Sequence, residues 1–184
     1  MLNNTFKDSI YREKLTGEYF HGLPVGLVAA QRATVASTLY VMPFWVEEGF
    51  SIDRIAINVK AASAGHIARV GVYKDNGSLY PGELVVDGGT ISVNAIAVVA
   101  ATVAVTLPQG WCWTAVVSDG IPQLLLTYPT FSPLGIESTG LSPGTGEYSG
   151  YSKAAVGTAA LADPCVSGAA LAKIYNYIVA VRKA

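Results

Sequence analysis

Residues 96–118 read IAVVAATVAVTLPQGWCWTAVVS, two β-rich runs on either side of Leu107-Pro108-Gln109-Gly110. Pro and Gly together punctuate a chain strongly, so the break is a turn between strands. Successive side chains on a strand point to opposite faces. In the first run Val99, Val103, Val105 and Leu107 share one face with the small Ala101, while Ala100, Thr102, Ala104 and Thr106 share the other. In the second, Trp111, Trp113, Ala115 and Val117 are set against Cys112, Thr114, Val116 and Ser118. The pattern predicts an antiparallel hairpin with the Trp111/Trp113 face inside a core. It carries no chemistry.

The same reading extends outward. LYVMPFWV (39–46) is a strand whose Pro43, unable to donate to a ladder, implies an edge or a bulge. In FSIDRIAINVKA, Phe50 and Ile52 share one parity while Ile55, Ile57 and Val59 share the other. A β-bulge near Asp53-Arg54 produces such a slip. HIARVGVYKD (66–75) alternates, with Ala68, Val70 and Val72 inward against Arg69 and Tyr73. Asp75-Asn76-Gly77 is a turn signal and lacks the spacing of a calcium loop. Tyr80-Pro81-Gly82 is a second turn, and ELVVDGGTISV is a strand pair or a strand bent at Gly88-Gly89.

Residues 19–38 read as loop with one short strand, and IPQLLLTY (121–128) follows the central hairpin. Residues 129–172 are rich in Gly, Ala and Ser and read as a long loop, a common place for binding. The closing KIYNYIVAVRKA puts Tyr175, Tyr177, Val179 and Val181 on one face, a strand that should pair beside an early one. Roughly eight strands and no helical stretch predict an all-β fold. It is an antiparallel two-sheet sandwich, jelly-roll-like, over residues 19–184, with a short N-terminal arm at 1–18.

Only 14% of the 184 residues are charged against 51% hydrophobic. Charge usually makes up about a quarter of a soluble domain, so much of this surface should be hidden by self-assembly or partners. A net charge of −1 offers no basic footprint for nucleic acid. No run approaches the ~20 apolar residues of a membrane-spanning helix. The N-terminus MLNNTFKDSIYREK lacks an apolar signal core, so the expectation is a cytoplasmic chain with Cys112 and Cys165 reduced and buried. The arm concentrates charge in Lys7, Asp8, Arg12, Glu13, Lys14 and Glu18, with Phe6 and Ile10 as a narrow apolar stripe. It reads either as a frayed terminus with a helical turn or as a segment that docks on a neighbour.

Chemistry finds little to hold. The two histidines, His21 and His66, read as surface residues with no ligand spacing around them, so no metal is expected. No nucleophile motif is present and the carboxylates fall mostly at turns, so neither catalysis nor a cofactor is expected. Trp111 and Trp113 have flat faces suited to sugar rings, but their parity assigns them to the core. That leaves Tyr148 and Tyr151, in the Gly-rich stretch, as the glycan-binding candidates.

The order of segments resembles a module of tailed-bacteriophage virion proteins. In that module an L-Y-x-x-P-F strand leads to I-D-R-I, then R-V-G-x-Y, then Y-P-G-x-L-V-x-D-x-G-T-I, then an L-P-x-G-x-Y-W hairpin. Here the counterparts are Leu39, Tyr40, Pro43 and Phe44, then Ile52–Ile55, Arg69–Tyr73, Tyr80–Ile91 and the LPQGWCW turn region. The resemblance implies a jelly-roll or lectin-like domain of a tail fibre, tail tip or baseplate, commonly trimeric. Further expectations are a non-enzymatic role in the virion, synthesis in the host cytoplasm, contact with other virion proteins through residues 1–18, and contact with host-surface glycan. A capsid decoration or head-fibre protein and a carbohydrate-binding module are the competing roles.

Overall fold

Runs of β-branched and aromatic residues broken by Gly, Pro and Asn become strands, and every regular element of the described residues is one. The computed structural model describes residues 16–21, 29–127, 134, 148–173 and 176–184. The strands are β1 (Tyr19–Phe20), β2 (Ala29–Ala33), β3 (Leu39–Val46), β4 (Ser51–Ala61), β5 (Ile67–Asp75), β6 (Pro81–Ser92) and β7 (Val98–Thr106). They continue with β8 (Gly110–Ser118), β9 (Gln123–Thr127), β10 (Tyr148–Lys153), β11 (Ala170–Lys173), β12 (Asn176–Tyr177) and β13 (Val179–Lys183).

They form an antiparallel two-sheet sandwich. One sheet has six strands in the order β11-β10-β3-β8-β5-β6. The other has seven, along the path β1-β13-β4-β9-β12, with β7 on β4 and β2 on β9. The chain changes sheet repeatedly, as at the β7–β8 crossing. Between the sheets lies the main core of Met42, Phe44, Ile52, Ile55, Ile57, Val70, Val72, Cys112, Val116, Leu124, Leu126, Tyr177, Val179 and Val181. The expected bulge is present as a register shift between Ile52 and Arg54 against β7. The terminal strand pairs β1 and β4, as its apolar face implied.

Three sequence expectations are corrected. The first is the hairpin, since β7 pairs β4 in one sheet while β8 pairs β3 and β5 in the other. The turn at Pro108–Gly110, with Gly110 at φ 114, therefore carries the chain across the sandwich. Alternation reports which side chains share a face and is silent on which strand lies beside it.

The second concerns the tryptophans. Trp113, Ala115 and Val117 are buried, but on the outer side of the six-stranded sheet, in a second core with Leu39, Val41, Tyr73, Leu161 and Cys165. Trp111, on the same face, is only half-buried. The opposite face of β8 fills the space between the sheets, so both of its faces are covered.

The third is the long loop at 129–172, which contains β10 and β11. Both extend the six-stranded sheet, with β10 paired to β3 over Leu39–Val41. Gly150 makes this approach feasible, because a Cβ there would collide with the carbonyl oxygen of Val41. Pro43 lies past the end of that pairing, where no N–H is needed for the β10 ladder. At the N-terminus, Gly17 N donates to Lys183 O and Lys183 N to Glu18 O, so residues 17 and 18 belong to the sheet. The rest of the expected arm, residues 1–15, lies outside the described residues, as does Tyr175.

Candidate functional site

Residues 154–169 form a strap over the outer face of the six-stranded sheet. Val156 N donates to Ser37 O at one end, and Cys165 N donates to Gly82 O at the other. Between them Leu161 and Cys165 drop into the second core. The fit is close at Gly71, where a Cβ would strike the Leu161 side chain. A half-buried ion pair fastens the middle. Arg69 Nε lies 2.9 Å from both Asp87 oxygens, and Arg69 Nη1 donates to the carbonyls of Thr158 and Ala159 at 2.9 and 2.6 Å. Asp87 also accepts from Leu161 N at 3.1 Å. Asp163, followed by a cis peptide to Pro164, accepts from Leu84 N at 3.0 Å.

Aromatic side chains continue along this face. Trp113 meets Tyr151 at 5.5 Å between centroids, and Tyr151 meets Tyr80 edge-on at 4.7 Å. Each polar tip has a partner inside the fold. Trp113 Nε1 donates to Asp75 Oδ2 at 3.0 Å, and the Tyr151 hydroxyl donates to Leu79 O at 3.1 Å. Burial pushes the Tyr151 hydroxyl pKa up. Tyr151 is thus held between two rings with its hydroxyl turned inward. Tyr148, at the start of β10, is half-buried and pairs Lys173 in the ladder. Both glycan candidates lie on a strand, and the structure does not bring them together with an open aromatic face.

The open aromatic face lies beyond the strap. Trp45 and Trp111 occupy facing register positions on β3 and β8. Their rings meet edge to face, 5.4 Å apart at 83°, and Trp45 keeps 40% of its surface exposed. Two indoles at right angles make a corner whose π-face can take the C–H face of a sugar ring or another flat apolar group. Exposed Glu47, Glu48 and Gln109 flank it in the chain. Sequence reasoning missed Trp45. Its parity with Pro43, on a strand whose partner carries Trp111, was the signal available.

Elsewhere the side chains serve the fold. Among the described residues no three His, Cys, Asp or Glu side chains cluster as metal ligands. His21 is exposed, and His66 Nδ1 lies 3.3 Å from an Asp119 oxygen at the surface. Cys112 and Cys165 are free and buried, and burial pushes their thiols up to about 12 and about 11. Thiols held protonated in this way are poor nucleophiles. Among the described residues no helix is long and apolar enough to cross a membrane. Compared with protein-family models, curated proteins and solved structures, the chain matches none.

Proposed function

We propose that this chain is a non-enzymatic structural protein of a tailed-phage virion, part of the tail, fibre or baseplate. In this reading it acts as a homo-oligomer that touches host-surface glycan. The observation that carries it is the ordered series of segments from Leu39 to Ser118. The series resembles the virion module over its whole length and coincides with the uninterrupted run of strands β3 to β8. A charge-poor composition suits a chain that spends its life within an assembly. The resemblance implies three copies, and the N-terminal arm ahead of Gly17 is the segment that docks on neighbouring virion proteins.

A second reading, a carbohydrate-binding module, is favoured by the Trp45–Trp111 corner. That corner also replaces Tyr148 and Tyr151 as the place where glycan contact is expected. Immunogold electron microscopy of virions labelled against this chain tests the first reading. Label at the tail or baseplate is expected. Label on the head would make the chain a capsid decoration, and particles without label would overturn the virion assignment. Retention on immobilised glycans that is lost in Trp45→Ala tests the second.

A further inference from the structure

Strand β7 is a nine-residue strand at the edge of its sheet among the described residues. It pairs β4 along its inner side, and among the described residues no strand pairs the other. The Val59 N to Ala97 O bond sets the ladder's phase, directing Ala97, Val99 and Ala101 toward β4. Alternation then aims the N–H and C=O groups of Val98, Ala100 and Thr102 outward. The side chains of Val98, Ala100, Thr102, Ala104 and Thr106 are exposed too, with Val98 62% and nearby Ile96 71% accessible. From Gly88 to Ser118 the sequence holds no charged residue, so charge does not guard this edge, and its ladder against β4 shifts register once, between Thr102 and Val105.

We infer that this edge joins two copies of the chain, strand β7 against strand β7, antiparallel about a twofold axis at Thr102. The inference rests on the self-association in the reading above and is independent of the virion assignment. The edge is compatible with itself. A twofold through Thr102 sets Ala100 against the partner's Ala104 and Val98 against the partner's Thr106, opposing no like charges. Every outward N–H then meets an outward C=O. A strongly acidic or basic partner would find no complementary charge there. The edge is about 30 Å long and one strand thick. That is well short of the ~800 Å² per partner of a standard interface, so the pair should dissociate on dilution. A twofold pair also gives a dimer, whereas the resemblance implies a trimer.

Sedimentation equilibrium on the purified chain over a concentration series decides between them. A dimer is expected, with dissociation at least tenfold easier in Thr102→Lys, which places two ammonium groups across the axis. Mixing Thr102→Lys with Thr102→Glu should restore the dimer as a heterodimer. Ala100→Pro removes one outward N–H without touching the β4 ladder, and it should weaken the dimer even if a lysine at 102 hinders folding. A chain that stays monomeric throughout, or a trimer whose mass and affinity none of these substitutions alters, overturns the inference. Absence of the chain from virions would overturn the virion assignment and leave the sedimentation result standing.

Discussion

Two strand edges end the sandwich on the same side, and they are finished in opposite ways. On β6 the register against β5 shifts between Val70 and Gly71, between Val72 and Tyr73, and between Tyr73 and Asp75. The strap then takes its backbone groups, with Asp163 accepting from Leu84 N and Cys165 N donating to Gly82 O. On β7, separated from it by little more than the Gly88–Ala101 contact, no segment of the described residues does the same. Bulges and a covering loop are standard protection against edge-to-edge association; β7 has a single register shift against β4 and an uncharged edge that no described segment covers, and such an edge invites pairing. Among the described residues one edge is covered and its neighbour is not, and the proposed pairing rests on that contrast.

Removing the floor of the strap should have the largest effect. Trp113→Ala empties a fully buried site beneath Tyr151 and should cost ~3–5 kcal/mol of stability. Chemical denaturation measures it, and an unchanged midpoint would mean that the strap does not depend on this ring. Asp87→Asn comes next. It leaves Arg69 half-buried without its carboxylate and should cost about 2 kcal/mol. The strap should then be cut by protease before the sheets unfold, and the uncovered β6 edge should associate as β7 does. A variant as resistant as the wild type would break the contrast between the two edges.

Alkali should act through the two thiols. Burial raises Cys112 from 9.0 to about 12 and Cys165 from 9.0 to about 11. The folded state holds these protons more tightly than the unfolded chain does. Their contribution to stability is therefore complete below pH 9.0 and is lost as the pH rises through the folded values. Thermal midpoints should fall across that window. Thiol-labelling kinetics sharpen the comparison further, since Cys165 lies on the strap and should react before Cys112, which lies between the sheets. Equal rates would show the strap opening only with the whole fold. The smallest effect is expected for Trp45→Ala, about 1 kcal/mol, because the ring is 40% exposed and loses chiefly its edge-to-face contact with Trp111, so that lost glycan retention can be read on a folded chain.

Much of the fold was legible in the sequence because strand alternation is a local property. The bulge at Asp53-Arg54, the inward set of Ala68, Val70 and Val72, and the closing strand each follow from parity within a few residues. Partner choice is not local. The Leu107–Gly110 turn looks alike whether it closes a hairpin or crosses a sandwich. A strand covered on both faces, as β8 is, gives alternation no polar side to contrast with. Composition misled at 148–173. Small residues there permit close approach, as Gly150 does against Val41, and they read as loop because small residues usually do. The candidate site was only half legible, with Trp111 visible but weighed against Trp113 instead of Trp45, its neighbour on another strand.

The position of β13 has a consequence for how this chain is made. It lies between β1 and β4, so the seven-stranded sheet is incomplete until Val179–Lys183 can join. Some 120 residues of synthesis separate the end of β4 from that moment, on the order of 6–25 s of ribosome time at ~5–20 residues per second. Throughout that interval Ile52, Ile55 and Ile57 lack the Val179 and Val181 that later cover them. Folding of the sandwich is thus timed by β13, and a nascent chain stalled before Val179 leaves that apolar face of β4 uncovered.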